Sequence, residues 1–213
     1  MKLKIPYTWE ERRPVLLDSF LYVPPVYDKH HEWQKTPLFA DSKPIVIEYC
    51  SGNGEWICRK AKNEPDVHWI AVEKRFDRSR KIWGRLKQQN LPNLVVVCGE
   101  ALTFTKFYMD EKSVSKIYVN FPDPWPKLRH AKHRLVRPEF LEEVEKILLP
   151  KAKAIFTTDD PKYAEQMQEI IQWKKLQVTT DISDFGSSYF LDLWKQKGCM
   201  IYQMEYEYDH TSL

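Results

Sequence analysis

Residues 44–63 read PIVIEYCSGNGEWICRKAKN. A short apolar run from Ile45 to Cys50, interrupted only by Glu48, gives way to Ser51-Gly52-Asn53-Gly54, and then to a helical stretch ending near Asn63. Strands of a parallel sheet are buried on both faces and read as such near-continuous runs. Two glycines between strand and helix let a ligand come close to the backbone. Outward from this unit the alternation repeats. Val67 to Val72 is a second apolar run, followed by a basic helix from Asp77 to Gln89. Asn93 to Cys98, Val114 to Phe121 and Ala152 to Thr158 are three more strands. Pro138 to Leu149 reads as a helix with proline in its first turn, and Pro161 to Trp173 as another. Short strands alternating with longer helices predict a parallel sheet with crossover helices.

Both ends of the chain differ from this middle. Residues 1 to about 43 carry six prolines or lead into them, with aromatic and basic residues interleaved. They predict an irregular extension draped on the core, with one short helix near 8–12 or 30–35. At the other end, Ser188 to Lys197 reads as a helix with Ser187 or Ser188 as N-cap and Gly198 just past its end. Met200 to Tyr208 alternates, which suits an antiparallel edge strand. The expected organisation is an extension over 1–43 and one three-layer α/β domain over 44–213.

Composition narrows the class. The chain has 213 residues, 43% hydrophobic and 30% charged, with 33 Lys+Arg against 30 Asp+Glu for a net charge of +3. That is neither a disordered nor a membrane composition, and no apolar run nears the roughly 20 residues of a membrane span. Glu10, Glu11, Arg12 and Arg13 stand where a secretory signal needs apolar residues. Cys50, Cys58, Cys98 and Cys199 lack CxxC spacing and read as reduced cytoplasmic thiols. The expected protein is cytoplasmic, a monomer or weak homodimer.

A ligand of an open α/β sheet sits outside the carboxyl ends of the strands. Glu48, Glu73, Glu100 and Asp123 fall at or just after four successive strand ends, and Asp159 and Asp160 follow the fifth. Acidic residues often cap the helix after a strand. Five in a row repel one another unless a cation or a donor-rich ligand answers them. Glu73 comes 19 residues after Gly54, near the spacing at which an acid takes ribose hydroxyls. A dinucleotide loop wants a small residue where Ile57 stands, and no Lys-Ser/Thr follows for a triphosphate. A ribose joined to positive charge fits, and S-adenosyl-L-methionine carries a ribose, a sulfonium and an ammonium group.

The stretch Asn120-Phe-Pro-Asp123-Pro-Trp125-Pro-Lys127 holds three prolines in five residues and so a stiff backbone. From Lys127 to Arg137 there follow five Lys/Arg and two His with no acid. Basic side chains hold phosphates. An aromatic can stack on an extruded base while a carboxylate accepts from its N–H edge. His130 and His133 form an isolated HxxH, which reads as surface or a phosphate contact and not as a metal site. A second basic set, Lys74, Arg75, Arg78, Arg80, Lys81, Arg85 and Lys87, is either a solvated helix face or a nucleic-acid track.

The run PDPWPKxRHxKxRL, with E-x-x-x-G-x-G upstream and T-D-x-x-x-Y downstream, resembles the bacterial tRNA (guanine-N7-)-methyltransferases over about residues 44–175. The resemblance implies a Rossmann-like fold, mostly parallel with an antiparallel C-terminal strand. It implies methyl transfer from S-adenosyl-L-methionine to N7 of the variable-loop guanine of tRNA. By position, Glu48, Gly52, Gly54, Glu73, Glu100 and Asp123 would meet the cofactor, with Asp123 also catalytic. Lys127, Arg129, Lys132, Arg134, Asp159 and Ser188 would meet the tRNA. Three departures stand out: Cys50 replaces the first glycine of the loop, Glu100 replaces an Asp or Asn, and the C-terminal T-x-x-E aligns with Ser188-Tyr189-Phe190-Leu191, losing its Glu. Asp192 is the adjacent acid. Two competing readings are a methyltransferase for an exocyclic amine and an RNA-binding protein of this fold without turnover.

Overall fold

In a computed structural model, which describes Leu3 and residues 12–33 and 36–209, the chain forms a nine-stranded sheet with helices on both faces. Strands β1 (Val15–Leu17) and β2 (Phe20–Tyr22) come first, then β3 (Ile45–Tyr49), α1 (Glu55–Asn63), β4 (His68–Glu73), α2 (Phe76–Gln89), β5 (Leu94–Cys98) and α3 (Ala101–Tyr108). The second half runs β6 (Val114–Asn120), α4 (Pro138–Ile147), β7 (Leu148–Thr158), α5 (Pro161–Ile170), β8 (Lys174–Thr179), α6 (Tyr189–Gln196) and β9 (Tyr202–Glu207). Strand order across the sheet is β1-β2-β5-β4-β3-β6-β7-β9-β8. From β5 to β7 every pairing is parallel, and the order reverses between β3 and β6. That reversal opens the crevice in which such sheets bind ligands.

The central strands β3, β4 and β5 are mostly apolar because both faces are covered. Ile47, Tyr49, Ile70 and Val72 pack with Phe104, Phe140, Val144 and Tyr163 on one side. Val46, Trp69, Ala71 and Val96 pack with Trp56, Ile57, Ile82 and Trp83 on the other. The period of two thus divides each run between two cores. Much of the aromatic content is here: the Trp56 ring meets Trp69 edge-on at 5.9 Å and Tyr118 at 4.7 Å.

Two expectations need correction. The N-terminal extension is not wholly irregular. Val15 to Tyr22 form a hairpin through Asp18 at φ 53°, and β2 adds to β5 in parallel. Phe20 and Leu21 are fully buried by this pairing, so the extension completes the sheet it was expected only to cover. The short helix is a 3-10 turn at His30–Glu32, while residues 8–11 lie outside the described residues. Second, β9 is antiparallel as expected but is not the edge. It lies between β7 and β8, and the exposed, lysine-led β8 takes the edge. Ala101–Tyr108, to which the sequence pattern assigns no element, is helical although two threonines and three aromatics make it a poor helix former. Packing of Phe104 and Tyr108 into the core overrides that preference.

Candidate active site

Glu48 lies one residue before the end of β3, at the crevice, and is 2% exposed. Asn120, the last residue of β6, is buried beside it and donates from Nδ2 to Glu48 Oε1 at 2.8 Å. Burial pushes the Glu48 carboxyl up to about 7; the Asn120 donor opposes the rise and the nearby Glu73 carboxylate adds to it. Glu48 Oε2 and Asn120 Oδ1 have no hydrogen-bond donor among the described residues. Buried acceptors left so are costly, and an ammonium group satisfies both. These residues therefore fit the aminoacyl end of S-adenosyl-L-methionine.

The loop after β3 keeps a glycine-type turn despite its cysteine. Cys50 takes φ 64°, in the left-handed region, at a cost of about 1–2 kcal/mol for a residue with a Cβ. Burial first, and then the charges of Glu73, Asp123 and Glu48, push its thiol well up, which keeps it protonated and poorly nucleophilic. Gly52, at φ 57°, lies under the Phe190 ring, which a Cβ there would approach to 3.0 Å. Gly54 has a different task. A Cβ on it would sit 2.8 Å from Ile82 Cγ1, so it permits α1 to pack on α2. Neither Gly52 nor Gly54 borders a cavity at the crevice.

Glu73 ends β4 and organises this loop. Its Oε2 accepts the Gly52 N–H at 3.0 Å and its Oε1 the Arg75 N–H at 2.8 Å. Burial raises its pKa, against those backbone donors and Arg78, whose Nη1 lies 4.0 Å away. Each carboxylate oxygen keeps a lone pair for ribose hydroxyls. Replacing Glu73 with Ala is expected to weaken S-adenosyl-L-methionine binding by about 1–3 kcal/mol, because two backbone donors and the ribose lose their acceptor. Titration calorimetry measures this, and wild-type affinity in the variant removes Glu73 from the site.

Glu73, Glu100, Asp123, Trp125 and Lys132 border one cavity of about 510 Å³. Glu48, Asn120 and Ser188 border a small adjoining one of about 20 Å³, and Cys50, Phe121 and Phe190 line both. Glu100 is exposed at the start of α3 and accepts from Thr103 Oγ1 at 3.2 Å. Asp123 is exposed in a loop whose backbone enters and leaves through left-handed residues, Phe121 at φ 49° and Trp125 at φ 43°. The Trp125 ring packs near His133 at 5.2 Å and edge-on to His130 at 5.8 Å.

Other expected residues lie outside this cavity. Asp159 is half-buried, its pKa raised by burial, and borders neither cavity. Asp160 is a helix cap, accepting the Tyr163 N–H at 2.8 Å. Ser188 caps α6, accepting the Leu191 N–H at 3.1 Å. Leu191 is buried in the core with Phe185 and Ile201, and Asp192 is exposed and borders neither cavity.

The α2 set is only partly neutralised: Lys74, Arg80 and Lys81 are exposed and have no acidic partner among the described residues. On and before α2, Arg75 pairs with Asp77 at 3.1 Å, Arg78 faces Glu73, Arg85 pairs with Glu55 at 2.7 Å, and Lys87 pairs with Asp18. After the proline loop, Lys127, Arg129 and Lys132 are exposed and have no acidic partner among the described residues. Arg134, expected as a phosphate contact, also borders the larger cavity but is 7% exposed and bonded inward to Pro124 and Gln166. Sequence reasoning missed Asn120 and Phe190. Asn120 was legible as the polar residue ending the strand next to Glu48; Phe190 carried no signal.

The sequence and the fold both have relatives among known proteins. A family described as "Putative methyltransferase" matches residues 42–187. The tRNA (guanine-N(7)-)-methyltransferase of Chlamydia felis is 44% identical over 96% of this chain and 95% of its own length. That of Staphylococcus aureus is 33% identical over 84% of this chain and 86% of its own length. The 16S rRNA (adenine(1408)-N(1))-methyltransferase of Catenulisporales acidiphilia, solved with its cosubstrate, superposes with a TM-score of 0.59 at 15% identity, covering 94% of this chain and 98% of that one. At that identity the likeness is one of fold.

Proposed function

The chain belongs to the tRNA (guanine-N(7)-)-methyltransferase family, and from that premise we propose that it methylates N7 of the variable-loop guanine of tRNA. The observation that carries this reading is the shared cavity, in which the acidic cofactor rim meets Asp123, Trp125 and Lys132 of the proline loop. Bound S-adenosyl-L-methionine supplies an electrophilic methyl group on a sulfonium. The chain's residues bind and orient. Glu48 and Asn120 hold the ammonium, and Glu73 holds the ribose. Trp125 stacks on the guanine, and Asp123 accepts from its N1/N2 edge. N7 has a lone pair and no proton, so no general base is needed, and placement is the main task. As positive charge reaches the ring, the Asp123 carboxylate stabilises it.

Lys127, Arg129 and Lys132, which have no acidic partner among the described residues, meet tRNA phosphates. The double variant Lys127→Gln/Lys132→Gln is expected to raise the apparent KM for tRNA and to lower the log–log salt slope by roughly two units, about one per phosphate. A slope equal to wild type makes the patch plain solvated surface. The reading carries a cytoplasmic enzyme, a monomer or weak homodimer. No helix among the described residues is long and apolar enough to cross a membrane. Incubation with methyl-labelled cofactor and unmodified tRNA, then nucleoside analysis, tests the function: label is expected in 7-methylguanosine at the variable loop. Label on an exocyclic amine, or binding without transfer, supports one of the competing readings instead.

A further inference from the structure

Arg134 sits in the basic run that follows the proline loop, yet its side chain turns away from solvent. Its Nε donates to the Pro124 carbonyl at 2.7 Å, and its Nη1 donates to Oε1 of Gln166 on α5. The guanidinium carbon lies 4.9 Å from the centroid of the Tyr163 ring, also on α5. The Tyr163 hydroxyl in turn accepts the Val136 N–H at 2.9 Å, which fixes the chain just beyond Arg134. One side chain thus ties the middle of the proline loop to a helix of the core.

What it ties is informative. Pro122, Pro124 and Pro126 each fix their own φ, and each restricts the residue before it. They do not fix their own ψ. The ψ of Pro124 aims the Pro124–Trp125 peptide, and Trp125 then takes φ 43°, a conformation that persists only when its surroundings hold it. The Pro124 carbonyl reports that torsion directly, and it is the atom that Arg134 Nε grips. A guanidinium suits the task because its planar fork reaches two acceptors at a fixed angle while its face stacks on an aromatic ring. Among the described residues Arg134 forms no ion pair, so this buried cation is satisfied by neutral acceptors and a ring face. An apolar side chain would fill the space at lower desolvation cost.

We propose that Arg134 is a positioning residue: through the Pro124 carbonyl it sets the relative orientation of Asp123 and Trp125, and it takes no part in holding tRNA phosphates. The proposal rests on the reading of Asp123 and Trp125 given above.

Two variants test it. Arg134→Lys keeps the charge but loses the fork. Gln166→Ala removes the second acceptor from a residue outside the cavity, and it serves if Arg134→Lys fails to fold. For each, methyl transfer is measured per cofactor site titrated, which removes any unfolded fraction from the comparison. Arg134→Lys is expected to lower kcat by about 10–10²-fold, the scale set by misplacement of a reacting group by about 1 Å. Gln166→Ala is expected to lower it several-fold. The salt slope of tRNA binding stays as in wild type. Trypsin cleavage after Lys127 and Arg129, followed by mass spectrometry, is expected to quicken several-fold in both variants as the loop loosens. This readout needs no activity, so a chain that methylates no tRNA overturns the functional reading and leaves the clamp to be judged by proteolysis. In a third variant, Arg134→Gln, which removes the charge, a fall of about one unit in the salt slope makes Arg134 a phosphate contact and overturns the proposal. Wild-type kcat per site with wild-type cleavage rates in both Arg134→Lys and Gln166→Ala overturns it as well.

Discussion

Replacing Asp123 with Asn is expected to lower kcat by about 10²–10³-fold while leaving tRNA affinity close to wild type. Asp123 is exposed in the cavity and held between Pro122 and Pro124, so the substitution changes its charge and little else. Asn keeps the shape and one acceptor for the guanine edge. It loses the negative charge that offsets positive charge arriving on the ring, and loss of one preorganised electrostatic group is worth about this much. An effect confined to the transition state appears in kcat and kcat/KM together. N7 carries no proton, so the defect should not be rescued by raising pH, as loss of a general base might be. Single-turnover kinetics over a pH series measure this. Near-normal turnover in a folded Asp123→Asn protein excludes Asp123 as the catalytic group and turns attention to Asp159.

The second large effect is expected at Glu48, in two opposite directions. Its carboxyl is raised from 4.5 to about 7 in the folded chain, chiefly by burial. A carboxyl with a raised folded pKa binds its proton more firmly in the native state. The stability this gives is complete below the unfolded value near 4.5 and is lost as pH rises through about 7. Above pH 8 the buried carboxylate therefore costs about 3 kcal/mol in the cofactor-free protein. Glu48→Gln keeps an acceptor for Asn120 Nδ2 and removes the charge. It is expected to stabilise the free protein above pH 7 by up to about that amount, with little change near pH 4. The same substitution should weaken S-adenosyl-L-methionine binding by about 10–10²-fold, since a buried hydrogen bond to a charged group is lost. In wild type, affinity should fall as pH drops through about 7, and binding near pH 7 should release a proton. Calorimetry in buffers of different ionisation enthalpy measures the proton, and denaturant melts at pH 5 and pH 8 measure stability. A Glu48→Gln protein no more stable than wild type at pH 8 contradicts the buried-charge account.

The parts of this molecule legible in its sequence are those where a single local pattern carries the structure. Leu94–Cys98 is apolar at every position, and Ile45–Tyr49 at every position but Glu48, because helices cover both faces. Ser188 was visible as an N-cap because capping is local chemistry. The β1–β2 hairpin was not visible, since three-residue strands are too short to show a period and Phe20 is buried only by pairing with a strand 76 residues away. β8 was hidden for the opposite reason: an exposed edge strand needs no apolar face.

At the site, the acidic row was readable from its place at the strand ends. The division of labour within it was not. Asp123 reaches the cavity, while Asp160 caps a helix and Asp159 stays outside, because loop geometry decides between them. Lys132 and Arg134 are two residues apart in the same basic run, and spacing cannot tell an exposed cation from one turned onto Tyr163. Likewise Gly54 looked like part of a cofactor loop, and only the approach of Ile82 shows that it serves helix packing.

The central claim is that this cavity places guanine N7 for methyl transfer. It is tested most directly with two otherwise identical unmodified tRNA transcripts, one made with guanosine and one with 7-deazaguanosine, which has carbon in place of N7. Each is mixed with an excess of protein and labelled S-adenosyl-L-methionine, and the nucleosides are analysed after a single turnover. The account predicts that both transcripts bind with similar affinity, that the guanosine transcript gains one methyl group as 7-methylguanosine, and that the deaza transcript gains none. Methyl transfer to the deaza transcript at a rate comparable with guanosine would contradict it.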